Sequence, residues 1–296
     1  MKRGTVMIEF HADDYGMFPG ASRRILQCIN DGVLNGISLM PNGLYLDKSM
    51  ELFREQCEGK DVKLAIHFNI MTEKPLSDPK EIPDLTDSDG YFNVSYGKLL
   101  KSYIIPGMKK RYKKQIKQEL AKQLDRCLPF FSDQGSIRID SHRHFHMVPF
   151  VFDVIAELIE ERNLDVSYIR IIHERPVFYK GLSHFEYFKP INVIKVILLN
   201  TFSSIDRIKH RALYDKVKAD FASILFSGCM TWNNLNLILK NIRNNPEAFE
   251  GNIELMFHPG SIFEEKDLER IHDIEDRAYM SDALRSKEAF ALVKAK

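Results

Sequence analysis

Short apolar runs alternate with helical patterns along most of this chain, and no other feature of the sequence constrains the fold as strongly. The runs are Thr5–Phe10, Gly36–Met40, Val62–Phe68, Ser136–Ile139, Val166–Ile172, Ala222–Phe226 and Asn252–Phe257. Each is short enough for a buried strand and rich in β-branched or aromatic residues. Between them, Gly20–Asn30, Ser49–Cys57, Lys109–Phe131, Val148–Arg162 and Asn233–Ile242 carry apolar residues at helical spacing. Strands that alternate with helices build a parallel sheet covered by helices. About seven such units in 296 residues point to an irregular (β/α) barrel, TIM-barrel-like, with an open doubly wound sheet as the alternative. We expect one domain over residues 1–296, with insertions near 72–103 and 179–214. The first insertion is rich in proline and holds the acidic turn Asp87-Ser88-Asp89-Gly90.

Lys and Arg number 42 against 41 Asp and Glu, a formal charge of +1, so nothing in the whole chain argues for nucleic acid. One stretch is locally basic: Lys109, Lys110, Arg111, Lys113, Lys114 and Lys117 fall within nine positions. A solvated helix face accounts for it. An anionic polymer or membrane surface is the sharper reading, and requires the charges to line one face beside a pocket. No apolar run approaches the length of a membrane-spanning helix. The apolar stretch after the basic N-terminus is too short for a signal-peptide core. Cys28, Cys57, Cys127 and Cys229 form neither a zinc-ligand spacing nor a disulfide framework. They read as reduced thiols, and the expected location is cytoplasmic. Oligomeric state stays open, a symmetric homodimer being the commonest arrangement.

Chemistry-bearing residues fall where these strands end. His11-Ala12-Asp13-Asp14 follows the first run, His67 ends the third, and Asp140-Ser141-His142-Arg143-His144-Phe145-His146 follows the fourth. His258-Pro259-Gly260 follows the last. In a barrel such residues converge on the C-terminal face of the strands, where barrel enzymes carry their sites. Adjacent carboxylates such as Asp13 and Asp14 point in different directions, so one can hold a metal while the other handles a proton. Imidazoles and carboxylates are ligands for divalent cations, and a catalytic site keeps about three of them with one position open. His142, His144 and His146 would share one side if the strand continued and would fan out on a turn. Histidine titrates near neutrality, which suits His258 to proton donation. There is no Gly-x-Ser-x-Gly elbow and no phosphate-binding glycine loop. The residues alone therefore suggest a metal-dependent hydrolase.

The motifs HADDYG, LAIHFNIMTEKPL, RIDSHRHFHMVP and ELMFHPG, in that order, resemble the YdjC-like family of carbohydrate deacetylases, which includes chitooligosaccharide and hopanoid-linked deacetylases. The likeness spans residues 5 to 260. It departs from the family's usual NADDFG at His11 and Tyr15. The resemblance implies a β/α barrel that removes an N-acetyl group from an amino sugar and releases acetate. It implies one divalent metal, zinc or magnesium first, with manganese, nickel or cobalt as alternatives. Asp14, His67 and His142 correspond to the metal ligands, Asp13 to the general base and His258 to the acid. His11, Asp140, His144, His146 and Arg170 are expected behind the ligands or near the substrate. Two rivals remain: a metallohydrolase for a phosphoester or non-sugar amide, and a sugar-binding protein without activity.

Overall fold

The computed structural model describes residues 6–182, 189–217, 219–249, 251–260 and 282–296. Thr5, at the start of the first expected strand, lies outside them, as do residues 183–188 of the second expected insertion.

Seven strands form one sheet: β1 (Met7–Tyr15), β2 (Gly36–Leu39), β3 (Lys63–Phe68), β4 (Ile137–Ser141), β5 (Val166–Ile169), β6 (Asp220–Ala222) and β7 (Asn252–Phe257). Their order is β5-β4-β3-β2-β1-β7-β6, every pair parallel. Helices supply the crossovers: α1 (Pro19–Asp31), α2 (Leu46–Cys57), α3 (Tyr96–Lys101), α4 (Met108–Cys127), α5 (Pro149–Glu161), α6 (Pro190–Lys209), α7 (Arg211–Lys216), α8 (Trp232–Asn244) and α9 (Asp282–Lys294). Pro19, Pro149 and Pro190 each open a helix, where the missing N–H costs no hydrogen bond.

The sheet curls strongly. In a flat sheet, β5 and β7 would stand five strand spacings apart, roughly 24 Å. Arg170, one residue past β5, nevertheless donates from Nε to Glu254 Oε1 of β7 at 2.7 Å. The sheet is thus a half-barrel, and β5 and β6, its two edges, do not pair among the described residues. This is the point at which the expectation of an irregular, TIM-barrel-like barrel departs from the molecule. The run expected as Val166–Ile172 is a strand only to Ile169, and the one expected as Ala222–Phe226 meets β6 at Ala222 alone, which leaves little ladder with which to close the barrel.

Alternation along each strand sorts the residues by face. Outward positions (Ile37, Leu39, Leu64, Ile66, Ile137, Ile139, Ile253, Leu255, Phe257) join the helices in one apolar core. Inward positions are polar and buried: Glu9, His11 and Asp13 on β1, Ser38 on β2, His67 on β3, Asp140 on β4 and Glu254 on β7. This explains why β1 runs to Tyr15, although its apolar run ends near Phe10. The strand continues wherever its inner residues have ionic partners. Gly36 belongs to the same inner layer. A Cβ there would stand 2.4 Å from His11 Nδ1 and 2.8 Å from Glu9 Oε1, so only glycine admits that pair.

The first insertion is held by α4. Glu119 accepts from the backbone N–H of Leu76 and Ser77, Gln115 from that of Asp84, and Gln123 from that of Asn69. These residues lie four apart, so one helix face clasps the loop. The second insertion, for which the sequence shows no clear pattern, contains the 20-residue helix α6.

Candidate metal and proton-transfer site

At the C-terminal ends of β1, β3 and β4, Asp14, His67 and His142 bring one ligand atom each within 4.8 Å of one another. Asp14 Oδ1 lies 2.9 Å from His142 Nδ1 and 3.3 Å from His67 Nε2. Asp14 sits where β1 loses register with β2 and takes a left-handed backbone (φ 67°). That kink turns its carboxylate away from Asp13. Two buried atoms, Asp14 Oδ2 and His67 Nε2, have no hydrogen-bond partner. Buried polar atoms are nearly always satisfied, so a cluster that leaves two such atoms together fits a cation. The donor set of two imidazoles and one carboxylate also fits a catalytic divalent ion.

Asp140 accepts from His67 Nδ1 at 2.7 Å, which leaves Nε2 for the cluster. Burial alone would hold His67 below its ordinary value, but the Asp140 and Asp13 carboxylates push it up to about 10. Burial would raise Asp14, yet His142 and His67 keep it well below the usual carboxylate range. The pocket thus favours positive charge on His67 and negative charge on Asp14, an environment in which a cation can stand in for the proton on His67.

Arg170 organises the neighbouring carboxylates. NH1 and NH2 donate to Asp13 Oδ2 and Oδ1 at 2.7 and 2.8 Å. NH2 also lies 2.8 Å from Asp140 Oδ2. Glu254, shared with Tyr168, completes the set. Burial pushes Glu254 well above the usual carboxylate range, helped by the nearby Glu9 and Asp140 charges. His11, Asp13 and Asp140 also bring ligand atoms within 4.8 Å, but the guanidinium already bridges two of them. Arg170 is wholly buried, so it serves as a resident cation rather than a surface contact.

The histidines of the 142–147 turn fan out because Arg143 and His144 are left-handed (φ 52° and 60°). His142 joins the cluster. His144 borders the pocket, and burial and Arg170 hold it well below its ordinary value, so it is neutral. His146 points away, paired with Ser141 Oγ at 2.6 Å and the Arg170 carbonyl at 2.7 Å. Burial lowers it to about 4. His11 also stands behind the cluster, linked to Glu9 and through Ser38 to Asp140.

His258 closes the other side. Its Nε2 lies 3.9 Å from Asp13 Oδ2. Its backbone is clamped by α9: the N–H donates to Glu288 Oε2 at 2.6 Å, and the carbonyl accepts from Arg285 at 2.9 Å. Glu288 and Arg285 escape a sequence reading because they lie about 30 positions away on a helix with no catalytic motif. Glu9 and Glu254 carried a readable signal, as charged residues inside apolar strands. A cavity of about 360 Å³ opens over this centre, lined by Tyr96, His142, His144 and His258 and walled by α6. Burial pushes the Cys28 and Cys127 thiols up to about 12 and raises Cys57 and Cys229 as well, which fits structural thiols rather than nucleophiles.

The sequence description of the YdjC-like protein family matches residues 7–295. This chain belongs to the YdjC-like family. Proteins named carbohydrate deacetylase from Clostridium beijerinckii and Thermoanaerobacter pseudethanolicus are each 28% identical to it, over 166 and 156 residues. Those stretches cover 55% and 53% of this chain and 60% and 57% of the two relatives. The chain thus matches somewhat over half the length of each. An Enterococcus faecalis V583 crystal structure, of a protein described as a candidate for cellobiose-phosphate cleavage, superposes with a TM-score of 0.66 at 16% identity. That match covers 98% of this chain and 91% of the other. At this identity the likeness speaks for the fold alone.

Proposed function

We propose that this chain is a metal-dependent carbohydrate deacetylase that hydrolyses the N-acetyl group of an amino sugar to acetate and a free amine. The observation that carries this reading is the placing of Asp13 and His258, 3.9 Å apart, beside the Asp14–His67–His142 cluster with its unpartnered buried atoms. Amide hydrolysis needs a base for water, an acid for the amine and a counter-charge for the carbonyl oxygen. Asp13 and His258 supply the first two, and a cation held by Asp14, His67 and His142 would supply the third. The family and its relatives named carbohydrate deacetylase add support.

Asp14, His67 and His142 would hold the cation. When bound there, it supplies Lewis-acid polarisation and a more acidic water. Zinc suits the donors well, with magnesium, manganese, nickel and cobalt as alternatives. Asp13 takes the proton of the attacking water, and Arg170 fixes both of its oxygens so that the carboxylate cannot rotate away. His258 gives a proton to the departing nitrogen as the C–N bond breaks. Its backbone clamps on Glu288 and Arg285 hold the imidazole at the rim. Each proton-transfer role is worth about a hundredfold to ten-thousandfold in rate.

A phosphoesterase would favour two cations about 3.5–4 Å apart, whereas two of the three groups that could hold a second, Asp13 and Asp140, are already bridged by Arg170. A sugar-binding protein without activity would have no need to keep a base and an acid facing each other.

Elemental analysis of the wild type beside the Asp14→Ala/His67→Ala/His142→Ala variant tests the centre, and acetate release from N-acetylated sugars tests the reaction. Near-stoichiometric metal lost in the variant, with acetate released only by the wild type, is expected. His258→Ala should keep the metal and lose at least about a hundredfold in turnover. Metal-free wild type after incubation with zinc, magnesium or manganese would end the reading.

A further inference from the structure

The outer rim of the pocket has a character that deacetylation does not call for. α6 buries Asn192, Leu199, Phe202, Ser203 and Asp206. Its opposite face exposes Ile191, Val193, Ile194, Ile197, Ile205 and Ile208, with Ile197 63% and Ile208 83% exposed. The last turn of α3 and the residues after it expose Leu100, Tyr103, Ile104 and Ile105, with Ile104 at 82%. The two rows lie near one another, and α3 and α6 both reach the cavity. Tyr96 shares the cavity with Ile191, Ile194, Lys195 and Leu198. Tyr103 packs on Phe150 and lies within electrostatic reach of Lys209 and Asp206 at the far end of α6. Isolated exposed isoleucines are ordinary, but two neighbouring rows beside a pocket mark an interaction surface.

Charge identifies the partner. No acidic residue occurs between Asp89 and Glu119, while Lys98, Lys101, Lys109 and Lys110 do. From Lys189 to Arg211 the single acid is Asp206. It is fully buried, and burial pushes it up to about 8, so it adds little negative charge at neutral pH. Lys189, Lys195 and Arg207 stand against it, while Lys209 is paired with Asp153 of α5 at 2.7 Å and Arg211 with Asp215 at 3.6 Å. A second copy on a two-fold axis would set this basic face against itself. A protein partner would be expected to meet aromatic anchors in pockets, whereas these are aliphatic side chains interleaved with lysines. Aliphatic insertion with a basic fringe is the chemistry of an anionic lipid surface.

We propose that the pocket mouth, formed by the outer face of α6 and the Leu100–Ile105 segment, docks on an anionic bilayer, so that the cavity opens toward the lipid headgroups. No helix among the described residues is long and apolar enough to cross a membrane, and docking requires none. The exposed isoleucines would enter the acyl boundary while the lysines meet the lipid phosphates.

Co-sedimentation of the whole chain with vesicles tests this, using phosphatidylcholine alone and phosphatidylcholine mixed equally with phosphatidylglycerol. Binding to the anionic vesicles, weakened by salt and weak on the neutral ones, is expected. An Ile104→Glu/Ile197→Glu/Ile208→Glu variant changes exposed positions outside the cavity lining, and should bind about tenfold or more weakly. A Lys101→Gln/Lys189→Gln variant should lose severalfold. Both should keep the circular dichroism of the wild type and its turnover of soluble acetylated sugar. Vesicle binding is read without substrate, so failure of the deacetylase reading would show in acetate release and leave this result standing. No binding by the wild type, equal binding to both vesicle types, or full binding by the isoleucine variant would overturn the proposal. So would a wild-type dimer that the same variant turns into monomers, since a second copy would then cover this face.

Discussion

The two faces of the half-barrel are made from the same strands and obey opposite rules. Outside, Ile66, Ile139, Leu255 and Phe257 are buried among aliphatic and aromatic side chains. Inside, Glu9, Asp13, His67, Asp140 and Glu254 are buried as deeply, yet meet Arg138, Arg170, histidines and hydroxyls. The outer face gains from leaving water, at about 25 cal/mol per Å² of apolar surface. The inner face bears the cost of dehydrating charge and recovers it only through close pairing. That cost has a chemical use, since charges denied water and locked in place act strongly on whatever enters. The outer face thus binds the sheet to its helices, while the inner face sets the electrostatics of the candidate site.

The largest effect should come from removing the inner cation. Arg170→Met would leave Asp13, Asp140 and Glu254 buried without their shared partner. A loss of about 3–5 kcal/mol is expected, read from urea midpoints. Wild-type stability in this variant would mean the inner charges are not paired through Arg170, and the contrast between the faces would collapse. On the outer face, Leu255→Ala should cost about 3 kcal/mol through the cavity it creates. Where it remains folded it should retain metal like the wild type, because no inner residue has changed. Metal loss from that folded variant would blur the division of labour.

The smallest effect concerns Glu288, buried beside His258 on α9 and lacking an inner-face pairing as tight as that of Asp13. Burial pushes its carboxyl up to about 7 from 4.5. The folded state therefore holds its proton more tightly than the unfolded chain. Its stabilising contribution is complete below pH 4.5 and is lost as pH rises through about 7. Glu288→Gln removes this titration while keeping an acceptor for the His258 N–H. Unfolding measured from pH 4.5 to 8 should show the wild type losing on the order of 2 kcal/mol relative to the glutamine variant. Parallel curves for the two proteins would mean Glu288 is ionised in the fold, as Asp140 and Glu9 are.

Much of the architecture is local and therefore legible in the amino-acid sequence. Strand and helix periods depend on neighbouring residues, so seven strands, the main crossover helices and the clustering of Asp13, Asp14, His67, His142 and His258 at strand ends can be read directly. The end of β1 was hidden because its inner residues are polar, and an apolar run stops where ionic partners take over. α6 was hidden because its apolar residues point outward as well as inward, which blurs the helical stripe.

Partnership across the sheet was beyond the sequence. Nothing in the order of residues says that Arg170 meets Glu254 84 positions later, that Asp140 holds His67, or that α9 clamps His258. Those pairings depend on how far the sheet curls and where α9 lands, which are properties of the packed whole. The sequence by itself determined which residues can do chemistry and which end of the strands they occupy, because period-two alternation is written residue by residue. Tertiary structure alone decided which charge neutralises which, because that depends on distances between strands that only the curl of the sheet brings face to face.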